Sequence, residues 1–316
     1  MNAYWPSQRV FVTGAHGFLG SHLTPRLRAA GAHVTAPAHR DLDLLDPAAT
    51  RQALADAQPT LVIHLAARVG GIGANREQPG RFFYENATMG IQLIEVARTL
   101  GIPKLVCMGT VCAYPKHTPT PFREDVVWDG YPEETNAPYG LAKKMLLVQL
   151  QAYRQQYGFN GIYLLPANLH GPGDNFDPAH SHVIPALVRK FVEARDAAQA
   201  PVELWGTGSA SREFLYVEDC AEAVMLAAER YDGAEPVNIG TGDEIQIAEL
   251  ARMIARLVGH TGGTRFNPAY PDGQPRRRLD ISRAAERFGF RAHTSLEDGL
   301  KRTIQWYEET RATSTP

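Results

Sequence analysis

The chain has 316 residues, 44% of them hydrophobic and 21% charged, with a formal net charge of −2. That is ample for a sizeable core, arranged as one large or two modest domains. The near-neutral balance argues against nucleic acid as a partner, because phosphate binding usually leaves a basic face. No apolar run approaches the roughly 20 residues of a membrane-spanning helix, so no membrane partner is expected. The opening MNAYWPSQR lacks the basic and apolar blocks of a signal peptide. Cys107, Cys112 and Cys220 form no metal-ligand pattern, and reduced thiols in a cytoplasmic protein are the simplest account of them.

In chain order, RVFVT (9–13) reads as a buried parallel strand followed by a glycine-rich turn. FLGSHLTPRLRAAG then predicts a helix with Gly31 as its C-terminal cap, Pro25 being a mark against its regularity. Next come a strand HVTAPA, a helix opened by Pro47, and a strand LVIHLAA. A long helix ending near Leu100, the strand KLVCM, a helix from about Pro138 to Tyr157 and the strand GIYLLPA follow. This alternation predicts βαβ units, hence an α/β fold: a Rossmann-type doubly wound parallel sheet. After Asn168 the alternation loosens. Residues 1–168 are expected to bind the dinucleotide, with a later return of the chain at about 202–230. Residues 169–316 are expected to form mainly a smaller α+β substrate-binding domain.

TGAHGFLG (13–20) spaces Gly14, Gly17 and Gly20 as G-x-x-G-x-x-G, with Phe18 and Leu19 opening the helix. Such glycines permit a tight turn and close backbone approach, and the helix N-terminus faces a pyrophosphate. The second strand ends in PAHRDLDLLD, so His39 and Arg40 arrive before Asp41 while His16 projects from the glycine loop. Cations there accommodate a 2′-phosphate, which favours NADP, with Asp43 and Leu44 along the adenine. Tyr139 and Lys143 lie four residues apart on PYGLAKKMLLVQL and share a helix face. An ammonium beside a phenol is expected to lower its pKa toward the working pH, suiting it to proton transfer. Thr110 sits in the loop after the fourth strand, where ligands bind in such sheets. Cys107 and Cys220 read as inert core thiols, and Arg276–Arg278 as a local basic turn.

TGAHGFLG, HLAA (64–67), Asn86, Thr110 and Tyr139–Lys143 resemble the extended short-chain dehydrogenase/reductases. LAARVGGI, CAYP, NAPYGLAK, GPGDNF, SHVIPALVRKF, WGTGSASREFL and PDGQPRR are similar to one branch of that family. Its members use NADPH to epimerise GDP-4-keto-6-deoxy-D-mannose at C3 and C5 and to reduce it at C4. The resemblance runs from Arg9 to about Tyr307. It implies that Cys112 and His182 form the epimerisation pair, the thiol as base and the imidazole as acid. It implies that Thr110 holds the substrate carbonyl and that Tyr139 and Lys143 serve the reduction. Leu65, Ala66, Ala67, Asn86, Met108 and Gly109 would line the cofactor, joined by Lys143, Pro166, Asn168, Leu169 and His182. Val111, Asn168, Lys190, Trp205, Arg212 and Asp272 would contact the GDP-linked sugar.

Three departures stand out. His16 and His39 occupy places where arginines often meet the NADP 2′-phosphate. Lys190 replaces an arginine, exchanging a bidentate contact for a point charge. Val111 replaces a small hydroxyl residue beside Cys112. His180 competes with His182 for any role given to the latter. The resemblance also implies a homodimer through helices at about 81–100 and 138–157. The alternatives are a 4-keto reductase or epimerase/reductase acting on a deoxyheptose or dideoxyhexose, and a non-catalytic NADP-binding sensor.

Overall fold

Arg9–Thr13 forms a strand, β1, buried from Val10 onward. The computed structural model, which describes residues 4–178, 180–270 and 272–313, assembles a parallel sheet around it. The turn after β1 delivers the chain into α1 (Phe18–Ala29), and β2 (His33–Thr35) returns beside β1. α2 (Pro47–Ala57) is capped by the Asp46 carboxylate, which accepts from the Ala48 and Ala49 amides, and leads to β3 (Leu61–His64). α3 (Ile72–Glu77) and α4 (Pro79–Thr99) precede β4 (Lys104–Met108), and α5 (Ala137–Tyr157) precedes β5 (Gly161–Pro166). Then come β6 (Asn168–His170), α6 (Val183–Asp196), β7 (Val202–Trp205), β8 (Ser211–Arg212) and β9 (Phe214–Tyr216). α7 (Val217–Arg230) and β10 (Val237–Ile239) complete the sheet.

The strand order is β10-β5-β4-β3-β1-β2, every neighbouring pair parallel. The winding reverses between β1 and β3, which opens a crevice at the carboxyl ends of those strands. α7 lies against α1, where Arg26 pairs with Glu218 at 3.0 Å, and β10 is the strand by which the chain re-enters the sheet. Val202–Trp205 pairs instead with Thr264–Asn267, away from that sheet.

The remaining elements are β11 (Ile245–Gln246), α8 (Ile247–Val258), β12 (Thr264–Asn267), α9 (Ser282–Phe288) and α10 (Leu296–Thr313). A second apolar core gathers Ile184, Val188 and Phe191 of α6, Leu250 and Ile254 of α8, and Leu300 of α10. Among the described residues, three two-stranded ribbons, β6–β9, β7–β12 and β8–β11, accompany the central sheet.

α1 runs through Pro25 without a break. Pro25 faces solvent, so the carbonyl deprived of its donor is open to water, while Leu23 and Leu27 on the other side are fully buried. Burial of two leucines, at about 1.5–3 kcal/mol each, offsets the roughly 3 kcal/mol cost of an interior proline. The helix closes as expected at Gly31, whose φ of +95° suits glycine. The Gly31 amide donates to Arg28 O at 3.0 Å and the Ala32 amide to Leu27 O at 3.0 Å, satisfying the last carbonyls.

The GPGDNF loop after β6 buries the Asp174 carboxyl, which is 6% exposed. One oxygen accepts from the Asn175 amide at 2.7 Å and the other has no partner among the described residues. Burial pushes its pKa up from 3.8 to about 7. The folded chain therefore holds a proton that the unfolded chain has already released. Stability from this site is full below the unfolded value and falls as pH rises toward 7, by up to about 4 kcal/mol. Thermal unfolding between pH 5 and pH 8 should show a falling Tm in the parent protein and a flatter profile in Asp174→Asn. Equal slopes in the two would refute the assignment.

Candidate active site

The loop after β4 is built around absent side chains. A Cβ on Gly109 would lie 2.4 Å from the Tyr163 ring, and one on Gly140 would lie 2.4 Å from Cys112 O. Only glycine lets the first turn of α5 press onto this loop. Thr110 leaves the strand with its hydroxyl accepting from the Cys112 amide at 3.2 Å, which caps a single 3₁₀ turn over Val111–Ala113. Val111 and Ala113 are buried, at 3% and 1% exposed, whereas Cys112 between them is partly exposed. Burial pushes the Cys107 thiol up to about 11 and the Cys220 thiol to about 12, as befits inert core thiols.

Tyr139 precedes Gly140 on α5 and hydrogen-bonds Thr110. Its pKa moves opposite to the expectation: burial pushes the phenol well above 10, the Cys112 charge adds to this, and the Thr110 hydrogen bond only partly opposes it. Burial, not the Lys143 ammonium, sets the direction of this shift. The Lys143 charge is felt instead at Cys107 and His64, whose ionisations it shifts downward. Lys143 itself is 2% exposed and its pKa is lowered by burial. Among the described residues its ammonium makes no hydrogen bond.

At the switch point, Gly14 has φ +70°, and a Cβ there would lie 2.6 Å from Ala66 N. A Cβ on Gly20 would lie 2.1 Å from Gly14 O, which welds the turn to α1. Gly17 is the N-cap of α1, and its own Cβ would meet only Gly14 O, at 3.3 Å. This is a cradle open above a helix N-terminus, and with the unpartnered Lys143 ammonium it fits a dinucleotide. Phe18 and Leu19 follow at the helix start, and the Leu65 and Ala66 amides are held by Thr13 at 3.2 and 3.3 Å.

Asn86 lies beside this crevice but is fully occupied. Its amide nitrogen donates to Arg68 O and Phe82 O, and its oxygen accepts from Arg68 N. It therefore clamps the segment that follows Ala67, rather than offering a free group to a ligand. His16 Nε2 is 3.1 Å from Ala36 O, just beyond β2, while His39 and Arg40 are exposed and Arg40 sits 3.6 Å from Asp41. Asp43 is engaged by the Leu45 amide at 2.9 Å. Leu44, Met108 and Val111 all have side chains buried in the main core. Pro166 ends β5, and Leu169 of β6 packs against the main core.

On the other side, Asn168 donates to Glu213 O at 3.1 Å and accepts from Arg277 at 3.4 Å. Arg212 donates to Ser211 O and Asp272 O, and its pKa falls to about 9 through burial and the nearby Arg277 charge. The Asp272 carboxylate accepts from the Thr207 amide and hydroxyl, both at 2.8 Å. Lys190 donates to Glu203 O at 2.9 Å. Trp205, 54% exposed, stacks on Tyr270 with ring centres 4.4 Å apart and planes 5° from parallel. His182 is the N-cap of α6 and reaches solvent, yet the protein crowding it lowers its pKa by desolvation. Its competitor His180 is engaged by the Asp177 carboxylate at 3.0 Å.

Three residues near this site escaped the sequence reading: Arg277, Gln274 and Tyr270. The alternation of an extended segment, inward at Arg277 and outward at Arg276, was the available signal for the first.

A glycine cradle at a sheet reversal, facing a tyrosine and a buried lysine one helical turn apart, defines the extended short-chain class of dinucleotide-dependent dehydrogenases and reductases. The chain belongs to the NAD dependent epimerase/dehydratase family, whose sequence pattern matches residues 10–240. It is 40% identical to GDP-L-fucose synthase 1 of Arabidopsis thaliana, over 95% of this chain and 93% of that protein. Identity with GDP-L-fucose synthase of Escherichia coli (strain K12) is 38%, over 96% of this chain and 97% of the other. Among solved structures it resembles a GDP-6-OMe-4-keto-L-xylo-heptose reductase from C. jejuni, with a TM-score of 0.89 and 28% identity over 95% of this chain and 97% of that one. A GDP-L-fucose synthetase from Naegleria fowleri bound to NADP matches with a TM-score of 0.87 and 26% identity, over 96% and 95% of the two chains. Among the described residues no helix is long and apolar enough to cross a membrane.

Proposed function

We propose that this chain converts GDP-4-keto-6-deoxy-D-mannose to GDP-L-fucose, consuming NADPH and a proton, as a cytoplasmic homodimer. The observation that carries the reading is the partly exposed Cys112 thiol set beside Thr110 and Tyr139, in a chain 40% identical to GDP-L-fucose synthases. Residues 1–168 serve mainly the cofactor and 169–316 mainly the sugar nucleotide. The amides at Gly14–Gly20 and the α1 N-terminus take the pyrophosphate, with His16, His39 and Arg40 at the 2′-phosphate. NADPH, when bound, supplies the hydride that reduces C4.

The rest is proton handling. The C4 ketone acidifies the C–H bonds at C3 and C5, so each centre inverts if a base takes the proton on one face and an acid returns it on the other. Cys112 is the base and His182 the acid, a thiol and an imidazole being side chains that take and return protons in general acid–base catalysis. Thr110 and Tyr139 hydroxyls stabilise the enolate oxygen. Tyr139, kept neutral by burial, then gives its proton to the C4 oxygen as the ketone is reduced. Arg212, Lys190 and the Trp205–Tyr270 stack hold the GDP portion. α4 and α5 present Phe83, Tyr84, Met145 and Val148 for a second copy.

A second reading, reduction of a related GDP-linked 4-keto heptose, draws support from the TM-score of 0.89 to the C. jejuni reductase. Incubation with GDP-4-keto-6-deoxy-D-mannose and NADPH or NADH in deuterium oxide separates the two, alongside the solution mass. GDP-L-fucose labelled at C3 and C5, formed faster with NADPH by a two-chain particle, is expected. Reduced sugar without label would leave only the reductase, and inactivity on GDP-, UDP- and dTDP-linked ketosugars would favour a non-catalytic sensor.

A further inference from the structure

Arg277 poses a problem of charge. It is 7% exposed, and among the described residues no carboxylate pairs with it. A buried guanidinium without an anion costs several kcal/mol. Its partners are two neutral amides and a sulfur: Nε donates to Gln274 Oε1 at 3.1 Å, and Nη1 lies 3.4 Å from Asn168 Oδ1 and 3.6 Å from Cys112 Sγ. Of these, the sulfur alone can carry a negative charge.

The anchoring is built from both ends. Gln274, 2% exposed, donates to Pro115 O at 3.1 Å and Lys116 O at 3.2 Å, so it grips the thiol loop beyond Cys112 while holding Arg277. Asn168 is fixed in turn by Glu213 O. The adjacent Arg276 is exposed and paired with Glu244, which shows what an arginine in this segment does when it has no task inside.

We propose that Arg277 positions the Cys112 sulfur for the epimerisation, its guanidinium being held by Gln274 and Asn168 while Nη1 reaches the sulfur. The inference rests on the function proposed above. In the step it serves, the anionic sulfur takes the proton from C3 or C5 and becomes S–H. The C–H electron pair moves into the enolate, the negative charge reaches the C4 oxygen, and His182 returns a proton to the same carbon from the opposite face. No oxidant or reductant is consumed. Arginine suits the task because its planar fork holds several acceptors at fixed angles.

The test compares Arg277→Gln and Arg277→Lys with the parent protein. Deuterium exchange at C3 and C5 under saturating substrate should slow about 10²-fold in Arg277→Gln, with KM within about threefold, and recover largely in Arg277→Lys. NADPH binding should be unchanged in both. A raised KM with an unchanged saturated rate would overturn the proposal and make Arg277 a diphosphate contact. Alkylation of Cys112 by iodoacetamide, with Cys112→Ser as blank, needs no substrate. It should slow about tenfold in Arg277→Gln and recover in Arg277→Lys; equal rates in all three would overturn the positioning role. A parent protein that alkylates as expected yet never exchanges label would instead refute the proposed function.

Discussion

Replacing Cys112 with serine is expected to abolish deuterium incorporation at C3 and C5, a loss on the order of 10²–10⁴-fold, while NADPH still binds. Serine keeps the size and the Thr110–amide cap of the 3₁₀ turn but offers a hydroxyl too weakly acidic to serve as an anionic base near neutrality. No other thiol can substitute. Cys107 and Cys220 are each 0% exposed, with pKa values pushed to about 11 and 12. The variant should continue to oxidise NADPH with the unepimerised ketone, giving a reduced sugar that keeps its original C3 and C5 configuration. Label at C3 or C5 at the parent rate would assign the base elsewhere.

Tyr139→Phe should do the reverse. Reduction at C4 loses its proton donor and falls about 10²–10⁴-fold, whereas exchange falls less because Thr110 still holds the enolate oxygen. The sign of the pH dependence follows from the direction of the shift. A phenol raised above 10 keeps its proton to higher pH, so the donor form persists where an ordinary tyrosine would ionise. Single-turnover NADPH oxidation should therefore show no Tyr139-dependent decline between pH 8 and pH 10. A decline there that vanishes in Tyr139→Phe would contradict the geometry.

The order of strands and helices through Pro166 was legible because periodicity and turn residues decide it locally: LVCM is uniformly apolar and Gly14 and Gly31 punctuate. Pro25 misled only mildly, since its position on the solvent face depends on the whole amphipathic turn. What the sequence could not disclose were quantities set by tertiary burial. The Y-x-x-x-K spacing places Tyr139 and Lys143 on one face, but whether the ammonium or desolvation governs the phenol depends on how deeply α5 sits on the 3₁₀ turn. Asn86 was found by its place in the motif, yet its bonds to Arg68 and Phe82 show a clamp. Arg277 hid within a basic triplet whose members have opposite surroundings, and Tyr270 is a lone aromatic until β7 and β12 bring it onto Trp205. The return of the chain was anticipated near 202–230; α7 lies against α1 there, and the strand that re-enters the sheet is β10, which at three residues is too short to announce itself.

The grip of Gln274 on Pro115 and Lys116 has a consequence for how the enzyme is made. The hydrogen bonds join positions 159 and 158 residues apart, so the surroundings of the thiol are completed by a segment that emerges late from the ribosome. The first five sheet strands, the glycine cradle and the Tyr139–Lys143 pair are all synthesised long before it. A nascent chain thus acquires its glycine cradle and its Tyr139–Lys143 pair early and the surroundings of the Cys112 thiol among the last. Until then Cys112 stands without its guanidinium neighbour.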